Sequence, residues 1–459
     1  MEFLGCFLLL LGKSHRGLRV ELCIVAKEFL TCFIYTMKIS DLESAVEYLK
    51  SFTSYEDIII GKYDESAFDL ARFRGFLRKY GVRYEKVRAI HIAGSKGKGT
   101  TAGLVSGYLQ RQGKKVGLFV SPYVLSITDS IEVDGVPISE ARFLRYVRKL
   151  QKFIESSGLK EKGQMITYFE LLTTIMFQYF LDEGVDFAVL EVGLGGRLDS
   201  TNVCKSISTV LTSVEKEHEQ LLGSTYREIL NEKLGIVKKG APLIVSPQNG
   251  YVRGEIRRRK LGVKVVWVRD GDPNFEGAKA VLEDLSGRGF IKEFDEKLFL
   301  KIYHHLAITG RFEVEKFEVG GASGEERTVV FDIAHTAGSG RYLRAKLDQE
   351  FPGRKFVFLI SMMKDKDVDG FLDELVGKDI AGHFRSRKHK VIFTSSHPVR
   401  GFSGAELCSK FYKEAKVNED SVEAFQLILK GLKKDQILVV TGSHFLVGEV
   451  LRAVKRKIV

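Results

Sequence analysis

HIAGSKGKGTTAGLVSGYLQRQG, residues 91–113, reads as a short apolar strand, a glycine-rich turn and a helix. Gly94, Gly97 and Gly99 let the backbone pass close to an anion, the amides that open the helix point at it, and Lys98 adds a positive charge. The stretch is therefore read as a phosphate-binding loop. An ordinary strand-turn-helix with a flexible glycine turn is the plainer alternative. Against it stand the apolar run Val87 to Ala93 before the turn, the GKGT core, and Leu104, Tyr108 and Leu109 at helical spacing behind it. In the common Walker form a hydroxyl residue follows the lysine directly. Here Gly99 intervenes and the hydroxyl falls on Thr100.

Outward from this loop the pattern repeats. Lys115 to Val120 reads as a buried strand ending in Ser121-Pro122, and SITDSIEVDGVPIS as two short strands around a turn at Asp134-Gly135. Residues 139–157 form an amphipathic, basic helix, and TYFELLTTIMFQYFLDEG (167–184) a helix apolar nearly all round, hence buried. VDFAVLEVG, SISTVLTSV and APLIVSP are further strands, separated by GLGGRLDSTNV and by EKEHEQLLGSTYREILNEKLGIVKKG. From GRFEV at 310–314 the alternation resumes with TVVFDIAH, KFVFLIS, KVIFTSS and QILVVTGS, each followed by a helix. Strands alternating with helices imply an α/β fold with two doubly wound, largely parallel sheets. Their ligands lie beyond the carboxyl ends of the strands. Domains are expected at 37–307 and 308–459.

The 459 residues suffice for two large α/β domains. The formal net charge of +12 is dispersed, with local clusters at Arg257 to Lys260, Arg385 to Lys390 and Lys455 to Lys457 that read as solvated faces, with a steering role for anionic substrates. Aromatic residues do not interleave with these clusters and no nucleic-acid module is recognised, so a nucleic-acid partner is not expected. Five cysteines, three of them (Cys6, Cys23, Cys32) in the first 36 residues and none in a CxxC pair, fit a reduced, cytoplasmic setting. FLGCFLLLLG is too short to span a bilayer and follows Glu2 rather than a basic cluster. Residues 1–36 are therefore read as an upstream extension, with a weak membrane-associating arm as the alternative. Met37 precedes a plausible start, with helices at 40–52, capped by Ser40, and at 66–80, joined by a loop around Gly61.

HIAGSKGKGTT, TYFELLT, VLEVGLGGRLDSTNV, the EHEQLLGSTYREILNEKLGIVKKG segment, GRFEV, DIAH, MMKDKD and VVTGSHFLVGEV, in this order, resemble the folylpolyglutamate synthase and dihydrofolate synthase family of the Mur ligase superfamily. The resemblance spans residues 40–459. It implies a P-loop-containing Mur ligase ATPase domain followed by a C-terminal Rossmann-like α/β domain, in a monomeric enzyme. It further implies that ATP phosphorylates a folate or dihydropteroate carboxylate and that the amine of L-glutamate attacks the acyl phosphate.

By the same resemblance, Gly94, Gly97, Lys98, Gly99 and Thr100 hold the nucleotide phosphates. Ser121, Glu191 and His218 bind Mg2+, which takes hard oxygen donors. Glu191 also stands out on its own, as a carboxylate at the end of a buried strand; pairing with Arg197 or with a helix end is its structural alternative. Lys233, fifteen residues after His218, matches a lysine that is carbamylated in the family. Arg311 matches an arginine that reaches the γ-phosphate when the domains close, and a linker salt bridge is its alternative. Asp332 and His335 match positions on the ribose and adenine side.

Several positions depart from the family pattern. Tyr123 stands where His is usual, Asp129-Ser130-Ile131 replaces Glu-Arg-Ile, and Ser95-Lys96 replaces Thr-Asn. Glu217 replaces Asp before His218, and Thr336 replaces Asn after His335. Between Pro247 and Gly310 the chain is expected to run as a shorter, basic connection, with Pro273 and Glu276 at the Gln and Asn positions of an adenine-binding helix start. Three readings stay open: a folate or dihydropteroate ligase, a ligase of the same superfamily with another carboxylate acceptor, and a nucleotide-binding paralogue without turnover.

Overall fold

The computed structural model describes residues 38–52, 68–157, 166–306, 308–319, 325–377 and 389–455. The expected extension 1–36, the start at Met37, the loop around Gly61 and most of the basic cluster at 385–390 lie outside the described residues. Chain contacts define two compact units. Of the described residues, one takes those that fall within 38–52, 71–82 and 139–175, and the other those within 68–70, 83–138 and 176–455.

In the first unit the helices Leu42–Lys50 and Glu140–Ser157 present apolar faces to its core. The N-cap of the first helix is Asp41, not Ser40: Ser44 N–H donates to Asp41 Oδ1 at 2.9 Å. The second expected helix begins later than its sequence suggests, at Leu70. Its Phe76 and Tyr80 meet the ring of Phe153 edge-on, and Arg72 pairs with the buried Glu170 at 2.6 Å. The helix Tyr168–Glu183 is buried round most of its circumference, as its composition requires.

The second unit contains both sheets. The first is built from β1 (Arg88–Ala93), β2 (Val116–Phe119), β3 (Ile131–Val133), β4 (Val136–Pro137), β5 (Phe187–Glu191), β6 (Lys205–Leu211), β7 (Leu243–Val245) and β8 (Val265–Trp267). Their order is β4-β3-β2-β5-β1-β6-β7-β8, parallel except at one edge, where β3 runs antiparallel to both β2 and β4. The central strands are apolar throughout because helices cover both faces of a parallel sheet. On one face Leu104, Val105, Val281, Leu282 and Phe299 from the helices Lys98–Arg111, Pro273–Gly287 and Glu296–His305 pack on Ile90, Ile92 and Val189. The chain leaves β1 for β2 on one side and crosses from β5 to β6 on the other. The crevice this reversal opens lies at the carboxyl ends of β1 and β5.

The turn at Asp134-Gly135 forms as expected, both residues having positive φ (52° and 77°). SITDS, by contrast, is not a strand. Residues Ile127–Ser130 make a 3-10 turn, because Ser126 caps it and the Asp129 carboxylate accepts from Ser126 N–H at 2.9 Å. The connection from 247 to 310 is more structured than the sequence implied: it carries the helix Gly250–Arg258, strand β8 and two further helices.

The second sheet comprises β9 (Glu313–Val319), β10 (Glu325–Phe331), β11 (Lys355–Ile360), β12 (Lys390–Phe393), β13 (Lys416–Val417) and β14 (Gln436–Thr441), in the order β13-β12-β11-β14-β10-β9. Only β9 and β10 are antiparallel. Side chains alternate between two cores with the period of a strand. Val330, Phe356, Phe358 and Ile360 meet the helices Ala337–Glu350 and Val368–Val376, while Val329, Phe331, Val357 and Leu359 meet Ser421–Gly431 and His444–Lys455. None of the described helices is long and apolar enough to cross a membrane.

Candidate active site

The loop after β1 is tied to the segment after β6. Ser95 N–H donates to Ser213 O at 2.7 Å, Lys96 N–H to Ser213 Oγ at 2.9 Å, and Glu215 N–H to Ser95 Oγ at 2.9 Å. Gly94 (φ 150°) lies against Thr212, and a β-carbon there would also stand 3.1 Å from Ser213 O. Gly97, at φ 79°, is the N-cap of the helix Lys98–Arg111 and offers its first turn no side-chain acceptor. The amides of Lys98, Gly99 and Thr100 have no acceptor within the helix, and they carry the positive end of its dipole. The carboxamide of Asn274 occupies the space where a β-carbon on Gly97 would lie.

Glu191, at the end of β5, is 2% exposed. Its Oε2 accepts from Ser121 N–H at 3.2 Å and its Oε1 lies 4.0 Å from Lys98 Nζ. Gly99 is small because Arg311 Nη2 and Glu191 Oε2 each lie 3.2 Å from the position of a β-carbon there. Burial pushes the Glu191 carboxyl up, and Lys98 and Arg311 pull it back toward the ionised form. Arg197 is paired with Glu232 at 3.0 Å. Arg311 stands on a tight turn between Gly310 (φ 68°) and Phe312 (φ 51°). Asp332 fixes that turn: its two oxygens accept from Phe312 N–H and Ala334 N–H, both at 2.8 Å. The structure thus gathers Lys98, Ser121 and Glu191, with Arg311 near enough for its charge to act on Glu191 and Asp332 fixing the turn that bears it.

A second cluster adjoins Lys96. Lys233, 1% exposed, donates to Glu217 Oε1 at 3.0 Å, and Lys96 donates to Glu217 Oε2 at 3.4 Å. Burial works to raise the Glu217 carboxyl, yet Lys233, Lys96 and Lys98 hold it well below the usual range. Burial lowers the Lys233 ammonium, with Glu217 opposing and Lys98 adding repulsion. His218 has a positive φ of 49°, and burial takes its imidazole down to about 4. His335 places Nδ1 2.8 Å from Ile333 O, and burial takes it to about 3. Thr336 caps the helix Ala337–Glu350 in a reciprocal pair with Ser339.

Sequence reasoning missed two residues of the site. Glu217, noted only as a substitution, is the buried partner of Lys233. Asn274 meets Gly97, whereas Pro273 opens the helix as its first residue and Glu276 packs against Gly271. The Asp-Pro-Asn start was the available signal, since Asp272 caps this helix and so fixes where Asn274 points. Asp272 Oδ2 also accepts from Tyr303 and Tyr342, each at 3.2 Å. Among the described residues, no three His, Cys, Asp or Glu side chains are grouped so as to hold a metal by themselves. Glu191 fits a hard cation as an oxygen donor between two cations, provided that nucleotide and water supply the remaining ligands.

Residues 310–444 match the family model described as Mur ligase, glutamate ligase domain. Along most of its length the chain is also similar to the dihydrofolate synthase/folylpolyglutamate synthase of Bacillus subtilis, with 26% identity over 88% of this chain and 100% of that protein. Its similarity to proteins named as folylpolyglutamate synthase or dihydrofolate synthase thus runs along most of the chain. The dihydrofolate synthetase of Saccharomyces cerevisiae is likewise similar, 26% identical over 83% of this chain and 97% of its own. The same fold is seen in E. coli FolC in complex with DHPP and ADP, which superposes with a TM-score of 0.72 at 23% identity, covering 92% of this chain and 99% of that one. The Yersinia pestis bifunctional folylpolyglutamate synthase/dihydrofolate synthase, complexed with AMPPNP and Mn ion, gives 0.72 at 23% identity, covering 91% and 98%.

Proposed function

We propose that the chain is an ATP-dependent amide ligase that joins L-glutamate to the carboxylate of a folate or of dihydropteroate. The observation that carries the reading is the convergence of Lys98 and Arg311 on Glu191 beside the uncapped first turn of the phosphate-loop helix. Relatives similar over most of the chain are named for these activities.

In this reading the amides of Lys98, Gly99 and Thr100 bind the β- and γ-phosphates and Lys98 balances charge at the bridging oxygen. Arg311 neutralises the equatorial oxygens of the transferred group. A carboxylate oxygen of the acceptor forms a bond to the γ-phosphorus as the bond to ADP breaks. The glutamate amine then attacks the acyl carbon, and phosphate leaves with that oxygen. A bound Mg2+ supplies charge neutralisation across the phosphates; Glu191, Ser121 and His218 are the residues assigned to it. Asp332 and His335 face the ribose and adenine, directly or through the turn that bears Arg311. The domain division 37–307 and 308–459, a cytoplasmic setting and a monomeric state belong to the same reading. Carbamylation of Lys233 is part of it too, with an unmodified lysine neutralised by Glu217 as the alternative. A carbonyl resonance on Lys233 after supply of labelled bicarbonate distinguishes the two.

A second reading, a ligase for a different carboxylate, is favoured by Asp129, which turns back onto Ser126. The test is mass spectrometry of products formed from MgATP and L-glutamate with dihydropteroate, tetrahydrofolate or no acceptor. One glutamyl residue added to a pterin substrate, and lost in Lys98→Ala, supports the first reading. ADP formation that no pterin stimulates sets it aside for the second.

A further inference from the structure

The segment after β2 does more than carry Ser121. At its start Ser121 N–H holds Glu191 Oε2, and three residues later, before the chain returns to β3, it touches the core of the second sheet. Val124, 8% exposed, joins the apolar core of the second sheet together with Ile333, Leu446 and Val447. Arg452, near the end of the last helix, donates Nη1 to the carbonyls of Val124 at 3.2 Å and Leu125 at 3.0 Å. Gly448, one turn earlier, faces the Val124 carbonyl so closely that a β-carbon there would overlap it. Val124 also lies against Gly310: its two methyl groups are 3.2 and 3.4 Å from the position of a β-carbon on that glycine. Gly310 O in turn accepts from Ile333 N–H at 2.9 Å, and the next residue is Arg311.

We propose that Ser121–Leu125 is a clasp between the two sheets, and that Arg452 is a positioning residue which, through Val124, seats Arg311 beside Glu191. The chemistry is specific. One guanidinium nitrogen, Nη1, donates to both successive carbonyls, and these carbonyls belong to an irregular segment with no strand partner to satisfy them. Asp129, set among the family departures, fits the same picture, since Arg452 and Lys455 are the cations that act on its carboxylate. The stretch after β2 is thus fastened to the helix that closes the second sheet. The effect on turnover rests on the ligase reading above, whereas the seating itself does not.

The test compares wild type with Arg452→Ala, Arg452→Lys and Gly448→Ala by backbone hydrogen exchange without ligands, and by MgATP binding and steady-state ADP formation. The expected result is faster exchange in residues 121–126 and 309–313 of Arg452→Ala and Gly448→Ala, with β11 and β14 still protected. MgATP affinity and KM for ATP stay the same, and kcat falls about tenfold. Arg452→Lys keeps one carbonyl contact and lies between. Unchanged exchange at 309–313 in Arg452→Ala, or protection lost throughout β11 and β14, overturns the clasp. A wild type that forms no amide refutes the ligase reading, and the exchange comparison still decides the clasp.

Discussion

At Glu191 two cations from distant parts of the chain act on one buried carboxylate, Lys98 from 4.0 Å and Arg311 through its charge. Replacing it by Glu191→Gln keeps the shape but leaves both cations facing a neutral amide. Under the proposed function, kcat falls by about 10²–10³ while the fold persists, because charge arranged for a transition state outweighs its share in stability; ADP formation and thermal unfolding measured side by side check this. His91 poses a different problem. It is fully buried in β1, its Nε2 lies 2.8 Å from Thr201 Oγ1, and its Nδ1 has no hydrogen-bond partner. Burial depresses its imidazole to about 3. The unfolded chain protonates this group near its ordinary value of 6.5 and the folded chain does not, so its contribution is present above pH 6.5 and is lost as pH falls toward 3. Urea midpoints are expected to drop between pH 7 and pH 5, and His91→Asn to remove about one proton's worth of that slope.

Among the elements, the strand-loop-helix from Arg88 to Arg111 shows how far sequence reaches. Its apolar run, its glycines and the helical spacing behind them are local signals, and each forms where expected. Gly97→Ala forces a side chain both into a left-handed backbone position and into Asn274. Titration calorimetry is expected to find nucleotide binding lost, with the far-ultraviolet spectrum unchanged. The central strands β1, β5, β10, β11 and β14 were equally legible, since a buried parallel strand must be a continuous apolar run. Strand β8 was not, because three residues inside a basic connection carry too little periodicity to register. Nor was the turn Ile127–Ser130, where side-chain bonds from Ser126 and Asp129 override a strand-like pattern. Asn274 at Gly97 and Glu217 at Lys233 are pairings across the fold, and no local signal records them.

For the whole molecule, two sheets built by separate parts of the chain supply one reaction. The first contributes the phosphate loop and Glu191, and Arg311 arrives on the turn leading into the second. Neither part is sufficient alone, which is why the ligase assignment depends on their meeting at a single carboxylate. The central claim is that an acceptor carboxylate is phosphorylated before glutamate attacks it. The most direct measurement follows oxygen: wild-type protein receives MgATP, L-glutamate and a pterin acceptor whose carboxylate carries ¹⁸O, and the products are weighed. The account predicts an acceptor enlarged by one glutamyl residue and inorganic phosphate that has gained one labelled oxygen. Phosphate free of label alongside amide product would contradict it.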